Sequence, residues 1–233
     1  MMMRATPLLL MLLVLLRAAP AHADERRYMM AGFDRIRIDG PFEVTVVPGT
    51  SAGAIASGER RALDSVDVRV QGTTLIVSAS LNAWGGYPGA ARSIPRVTVT
   101  AASLRSATMI GGGRLTIDRM RGARIDLALT GAGTLVVTDA QADRIDATLL
   151  GTGQITIGGR ALQGRFQSNG AGAIDARAMQ VGALSVTWQS AGDGRFFARN
   201  TAAIVAAGQG AITVDGAPAC TVSGSGPVIC GKK

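Results

Sequence analysis

The chain has 233 residues, 24 Lys and Arg against 16 Asp and Glu, two cysteines and one histidine. That length suffices for one large domain with a sizeable core. The only histidine, His22, falls in an N-terminal leader, so the rest of the chain holds no Ser-His-Asp or Cys-His arrangement, no histidine general base and no histidine metal ligand.

Arg4, an apolar run over residues 7–16 and the small-x-small sequence Ala21-His22-Ala23 read as a signal peptide over residues 1–23. The run is interrupted at Arg17, well short of the ~20 residues that span a bilayer. Cleavage is predicted to leave residues 24–233 as one domain, exported to the periplasm, the outer surface or the medium. Without Arg4 and Arg17 the balance is 22 basic against 16 acidic residues, a net charge of +6, and Lys232 and Lys233 are the only lysines. A basic exported chain can meet anionic lipopolysaccharide, polysaccharide or nucleic acid, but a small excess also suits a solvated arginine-rich surface. The partner expected is an envelope glycan or a surface protein, and nucleic acid is not expected.

From residue 33 onward the apolar residues alternate with polar ones in short runs: Arg35-Ile36-Arg37-Ile38, Val66-Asp67-Val68-Arg69-Val70 and Arg96-Val97-Thr98-Val99-Thr100. Period-two alternation bounded by Gly and Pro predicts half-buried strands, and no window keeps a helical stripe for three turns. Residues 82–95 break the alternation and carry Trp84 and Tyr87. Those aromatics can stack on sugar rings or a protein partner, or pack back to cap the domain.

Residues 101–230 are more regular than residues 33–100. Gly-x-Gly begins at Gly111, Gly131, Gly151, Gly170, Gly192, Gly208 and Gly224, at steps of 16 to 22 residues. Four positions after each first glycine stand Leu115, Leu135, Ile155, Ile174, Phe196, Ile212 and Val228. Six positions after stand Ile117, Val137, Ile157, Ala176, Ala198, Val214 and Cys230. Four positions before the next triplet come Leu127, Ala147, Phe166, Trp188, Ile204 and Cys220. Three inward columns are predicted, with a strand after each triplet, another before the next, and a turn between. A unit this short cannot bury its apolar face alone and must stack on its neighbours. The expected fold is all-β, a single-stranded right-handed parallel β-helix, since β-propeller blades need about twice this length.

The opening Phe33-Asp34-Arg35-Ile36-Arg37-Ile38, the following Gly40-Pro41-Phe42-Glu43-Val44-Thr45-Val46 and the serial Gly-x-Gly units resemble the auto-transporter adhesin head family, also called the GIN domain. The similarity covers nearly the whole mature chain. It implies an exported β-helix with an adhesin-like surface role and brings no catalytic residues with it. The family's Gly-Ser-Gly survives here only at Gly224-Ser225-Gly226.

Chemistry would have to come from carboxylates, as glycoside hydrolysis does. The spacing stacks Asp126, Asp146 and Arg165 in one row and Arg124, Arg144 and Gln163 in another. Mixed charge of this kind makes a soluble outer face or a ligand ladder. The calcium-binding nonapeptide and the phosphate-binding lysine loop are both missing, and no cofactor or metal is expected. Cys220 and Cys230, both placed in inward columns, suit either a disulfide or buried thiols. Two functions stay open: a non-catalytic envelope or surface scaffold, and a polysaccharide-active β-helix enzyme using carboxylates and arginines in a groove.

Overall fold

The computed structural model describes residues 24–80 and 94–232. Residues 1–23, expected to be a signal peptide, and the aromatics Trp84 and Tyr87 lie outside the described residues. Strands make up 74% of the structure, wound into a solenoid of about six turns. Its regular part is β9 (Arg114–Gly131), β10 (Thr134–Gly151), β11 (Gln154–Gly170), β12 (Ala173–Ser190) and β13 (Gly194–Ala206), each parallel to the next. Each of β9 to β12 is one extended run bent at a corner, where the spacing had suggested two strands and a turn. The corner stays paired from coil to coil, as Gln141 does with Arg121 and Arg160, so no separate turn interrupts the ladder.

The alternation points alternate side chains inward. Leu115, Leu135, Ile155 and Ile174 stack in one buried column and Ile117, Val137 and Ile157 in the next. Beyond the corner, Leu127, Ala147, Phe166, Val186 and Ile204 form another.

The first glycines carry the close approach between coils. Gly131 and Gly151 have φ of 117° and 120°, a region disfavoured for other residues. A Cβ on Gly151 would lie 2.5 Å from the Gly131 carbonyl oxygen. Gly151→Ala should therefore cost about 3 kcal/mol or more, since both the backbone angle and the stack must give. Gly112, with open space around it, should accept alanine within about 0.5 kcal/mol. Melting curves of the two variants test this, and equal shifts would remove the steric account.

The longest step, from Gly170 to Gly192, corrects the spacing argument. Gly170 pairs with Ser190, not Gly192, so the triplet at Gly192 is displaced by two residues. Trp188 consequently stacks on Ser168 and Ala206, while Phe166 stacks on Val186. Phe196 leaves the column of Ile174 and joins Ala176 and Val214, and Gly194 takes the place beside Ile174. The reason is volume. Phe166, Trp188 and Phe196 are fully buried together, with ring centroids 5.0 and 6.0 Å apart. A Cβ on Gly194 would meet Phe196 at 2.8 Å and Trp188 at 3.1 Å, so three large rings require that glycine between them. Ser190 fills the glycine row by bonding: its hydroxyl donates to the Gly172 carbonyl and accepts from the Gly192 N–H.

The N-terminal strands stack out of chain order. β2 (Arg35–Asp39) lies between β6 (Thr74–Ala79) and β8 (Ser106–Ile110), and β3 (Glu43–Pro48) lies between β7 (Arg96–Ala101) and β9. Past them the pairing turns antiparallel: β5 (Val66–Gln71) on β6, β4 (Gly53–Gly58) on β7, and β1 (Asp24–Met29) on β4. The single-turn helix α1 (Arg60–Asp64) buries Ala62 and Leu63 at this end. The opposite end is open. There β14 (Ile212–Asp215) and β15 (Ala219–Gly224) pair with β13, and β16 (Val228–Lys232) pairs with β14. Cys220 aligns with buried Ala202 yet is exposed, because no described coil packs on its outer side. Its expected burial is thus corrected. Cys220 and Cys230 are joined across this last coil, with their Cα atoms 6.5 Å apart.

Candidate functional site

Among the described residues the buried side chains are apolar apart from Ser168 and Ser190, so the polar groups available to a partner lie on the outer rows. On the strand segments before the glycines, Asp126, Asp146 and Arg165 stand in register, beside Arg124, Arg144 and Gln163, as the spacing predicts. Arg124 Nε lies 2.9 Å from Asp126, and its Nη2 reaches across to Asp146 at 3.1 Å. Arg144 Nε closes on Asp146 at 2.9 Å. Two stacked carboxylates are tolerable here because each is bridged by an arginine.

Hydrogen bonding from Arg144, aided by the charge of Arg124, holds the Asp146 carboxyl below the usual carboxylate range against a smaller opposing effect of burial. Its folded-state value lies below the unfolded one, so the pairing stabilises the protein in full above an ordinary pKa of about 3.9 and is lost as pH falls through the folded value. The stability difference between wild type and Asp146→Asn should therefore shrink on acidification from about pH 6 to about pH 3. Thermal melts across that range check it, and a constant difference would show the carboxylate's charge to be irrelevant. Arg177 holds Asp175 low in the same way on the other strand segment.

The second candidate is the outer corner. Arg121, Gln141, Arg160 and Gln180 stack in register in four successive coils. Gln141 Nε2 donates to Asp139 at 2.9 Å, which turns the amide oxygen toward Arg160 Nη2 at 3.4 Å. A groove runs alongside, floored by Gly122, Ala142, Ala161 and Gly182, with Asp143, Leu162 and Arg199 at its margin. Leu162 is 67% exposed. Among the described residues, no group of three or more Asp, Glu, Cys or His is placed to hold a metal ion.

The family model for "putative auto-transporter adhesin, head GIN domain" matches residues 32–218. The chain belongs to this family. Among solved structures, the GIN-domain chain is similar to a "putative adhesin" from Bacteroides fragilis, with a TM-score of 0.83 at 19% identity over 91% of this chain and 98% of that one. It is also similar to a "putative lipid binding protein" from Parabacteroides distasonis, with a TM-score of 0.70 at 17% identity over 92% and 98%. A "putative adhesin" from the same organism gives 0.67 at 19% identity over 89% and 96%. Identities this low establish the shared fold alone. No curated protein sequence matches the chain.

Of the residues singled out in the sequence, the GIN-domain solenoid brings Cys220 and Cys230 together. Trp84 and Tyr87 fall outside the described residues. The corner row was missed, although its signal is present: Arg121, Gln141, Arg160 and Gln180 follow the first glycines by nine or ten positions. A search for inward apolar columns passes over polar residues at the corner, and that is where the row lies. Among the described residues no helix is long and apolar enough to cross a membrane.

Proposed function

We propose that this GIN domain is an exported, non-catalytic protein of the cell envelope or surface, an adhesin-like scaffold whose outer rows bind an envelope glycan or a surface protein. The observation that carries the reading is the repetition of polar rows at strand spacing outside a core of buried apolar columns. Such a surface presents many weak contacts at fixed intervals, which suits an extended partner.

One observation favours a second reading, a polysaccharide-active enzyme: Asp126, Asp146, Arg124, Arg144 and Arg165 from successive coils share one shallow depression. A glycosidase needs one of its two carboxyls to keep a proton near neutral pH. Asp146 is shifted the opposite way by its arginines, so the cluster works as paired charge. The test is to incubate the mature chain with isolated envelope glycans and outer-membrane fractions, measuring retention and reducing ends. Retention without new reducing ends is expected. Release of reducing ends that Asp126→Asn or Asp146→Asn abolishes would establish the enzyme instead.

A further inference from the structure

The last described coil is held differently from those beneath it. Each of β10 to β12 is paired along both edges, whereas among the described residues β15 pairs only with β13 and β16 only with β14. Side chains add little to that hold. Every residue of β15 is exposed, and Val222 remains 47% exposed although it aligns with buried Ile204. Of the apolar residues in β15 and β16 only Val228 and Cys230 pack against the core, and both are half-buried. Among the described residues no ion pair involves residues 216–231. What chiefly remains is two short parallel ladders and the bond between Cys220 on β15 and Cys230 on β16. Cys220 is in register with buried Ala202 and Cys230 with buried Val214, so the bond crosses the end of the core and ties the two strand segments of one coil to each other.

We infer that the Cys220–Cys230 bond is a redox-sensitive clasp: closed, it makes the last coil part of the stack, and reduced, it lets residues 216–232 peel away from β13 and β14. While the bond is intact, β15 and β16 form a closed ring and can leave only together. Once it is cut, ladders of six and four rungs must each survive alone, with one edge unpaired and little apolar surface buried. Such segments lie at the low end of local stability. Cys220 is exposed, so a dithiol reductant reaches it from solvent. One thiolate of the reductant bonds to the Cys220 sulfur, the disulfide breaks, and the electron pair leaves on the Cys230 sulfur, which takes up a proton. The second thiol of the reductant then displaces Cys220. Two electrons and two protons have passed to the protein, which holds two thiols, and the reductant carries the disulfide. An oxidising compartment keeps the clasp closed. Opening bares Ala202, Ile204, Ile212 and Val214 together with the outer edges of β13 and β14. It stops there, because β13 keeps its ladder to β12 and the Phe166, Trp188 and Phe196 rings stay packed beneath.

The test is hydrogen–deuterium exchange, read by mass spectrometry, on the mature chain in three forms: oxidised, treated with dithiothreitol in native buffer, and carrying Cys220→Ala/Cys230→Ala. Dithiothreitol should open the bond without denaturant, shown by the addition of two iodoacetamide labels. Peptides from residues 216–232 should then exchange roughly a hundredfold faster, the loss expected when a ring of about ten residues is opened. The double variant should match the reduced protein with no reductant present. Peptides from β9 to β11 should exchange as before, and reoxidation with oxidised glutathione should restore protection to residues 216–232. A bond that yields only in denaturant would overturn the clasp, as would unchanged protection of residues 216–232 in both the reduced protein and the double variant. Faster exchange spreading through β9 to β11 would make the bond a staple of the whole solenoid, and protection that does not return on reoxidation would rule out a reversible switch.

Discussion

Deleting residues 131–150 should leave a folded protein one coil shorter. Gly131 and Gly151 occupy the same rung of adjacent coils, so joining Thr130 to Gly151 restores the row and lets β9 pair directly with β11. The new interface is compatible. Leu115 and Ile117 meet Ile155 and Ile157 in their former columns, and Asp126 comes opposite Arg165 in place of Asp146. Removing only residues 131–140 deletes the strand before the corner and keeps the one after it. Ile145, Ala147 and Leu149 then lose the chain that closes their coil, and one segment each of β9 and β11 is left with unpaired backbone. The half-coil variant should aggregate, or melt roughly 10 °C or more below the full-coil variant. Circular dichroism melts and size-exclusion chromatography of both would decide. An unfolded full-coil variant, or a half-coil variant of equal stability, would show that the coils are not the units of stability.

Val137→Asp is expected to cost about 3 kcal/mol or more, because the new carboxylate would sit between Ile117 and Ile157 with no donor or cation in reach. Val137 is 1% exposed, so neither water nor a rotamer change relieves the charge. Thr138 is exposed on the opposite face, and Thr138→Asp should change stability by roughly 0.5 kcal/mol. For a domain this size the first variant should melt about 6–12 °C below wild type. Similar shifts for both would mean the inward and outward faces have been interchanged.

The contrast between those neighbours is legible in the amino-acid sequence alone. Alternation in runs such as Arg96-Val97-Thr98-Val99-Thr100 and a near-constant step between glycines identify the face and the stacking partner, because a strand has period two and a coil repeats its own length. Where the step departs from 20 the inference degrades. Counting from Gly192 puts Phe196 with Ile174 and Trp188 with Phe166; the rings instead pack together around Gly194, two residues out of step. Similarity of residue type aligns glycine with glycine, whereas the core aligns volumes, and three buried rings outweigh one triplet. The candidate site divides the same way. Arg124, Asp126, Arg144 and Asp146 can be placed on one face by counting, while the corner escapes attention because its row has no apolar signature.

By itself the sequence determined the all-β class, the stacked coils, the inward columns of β9 to β11 and the lack of histidine beyond residue 22, all of which follow from local periodicity and composition. The tertiary structure decided which arginines are neutralised by a carboxylate and which are not, since that depends on side-chain reach across coils, as from Arg124 to Asp146. It also decided the two ends. Nothing in the alternation of Val66-Asp67-Val68 distinguishes an antiparallel edge from one more parallel coil. Both directions of pairing satisfy the same apolar face, and only the path of the connecting chain, with α1 folded over one end and β15 left uncovered at the other, selects between them.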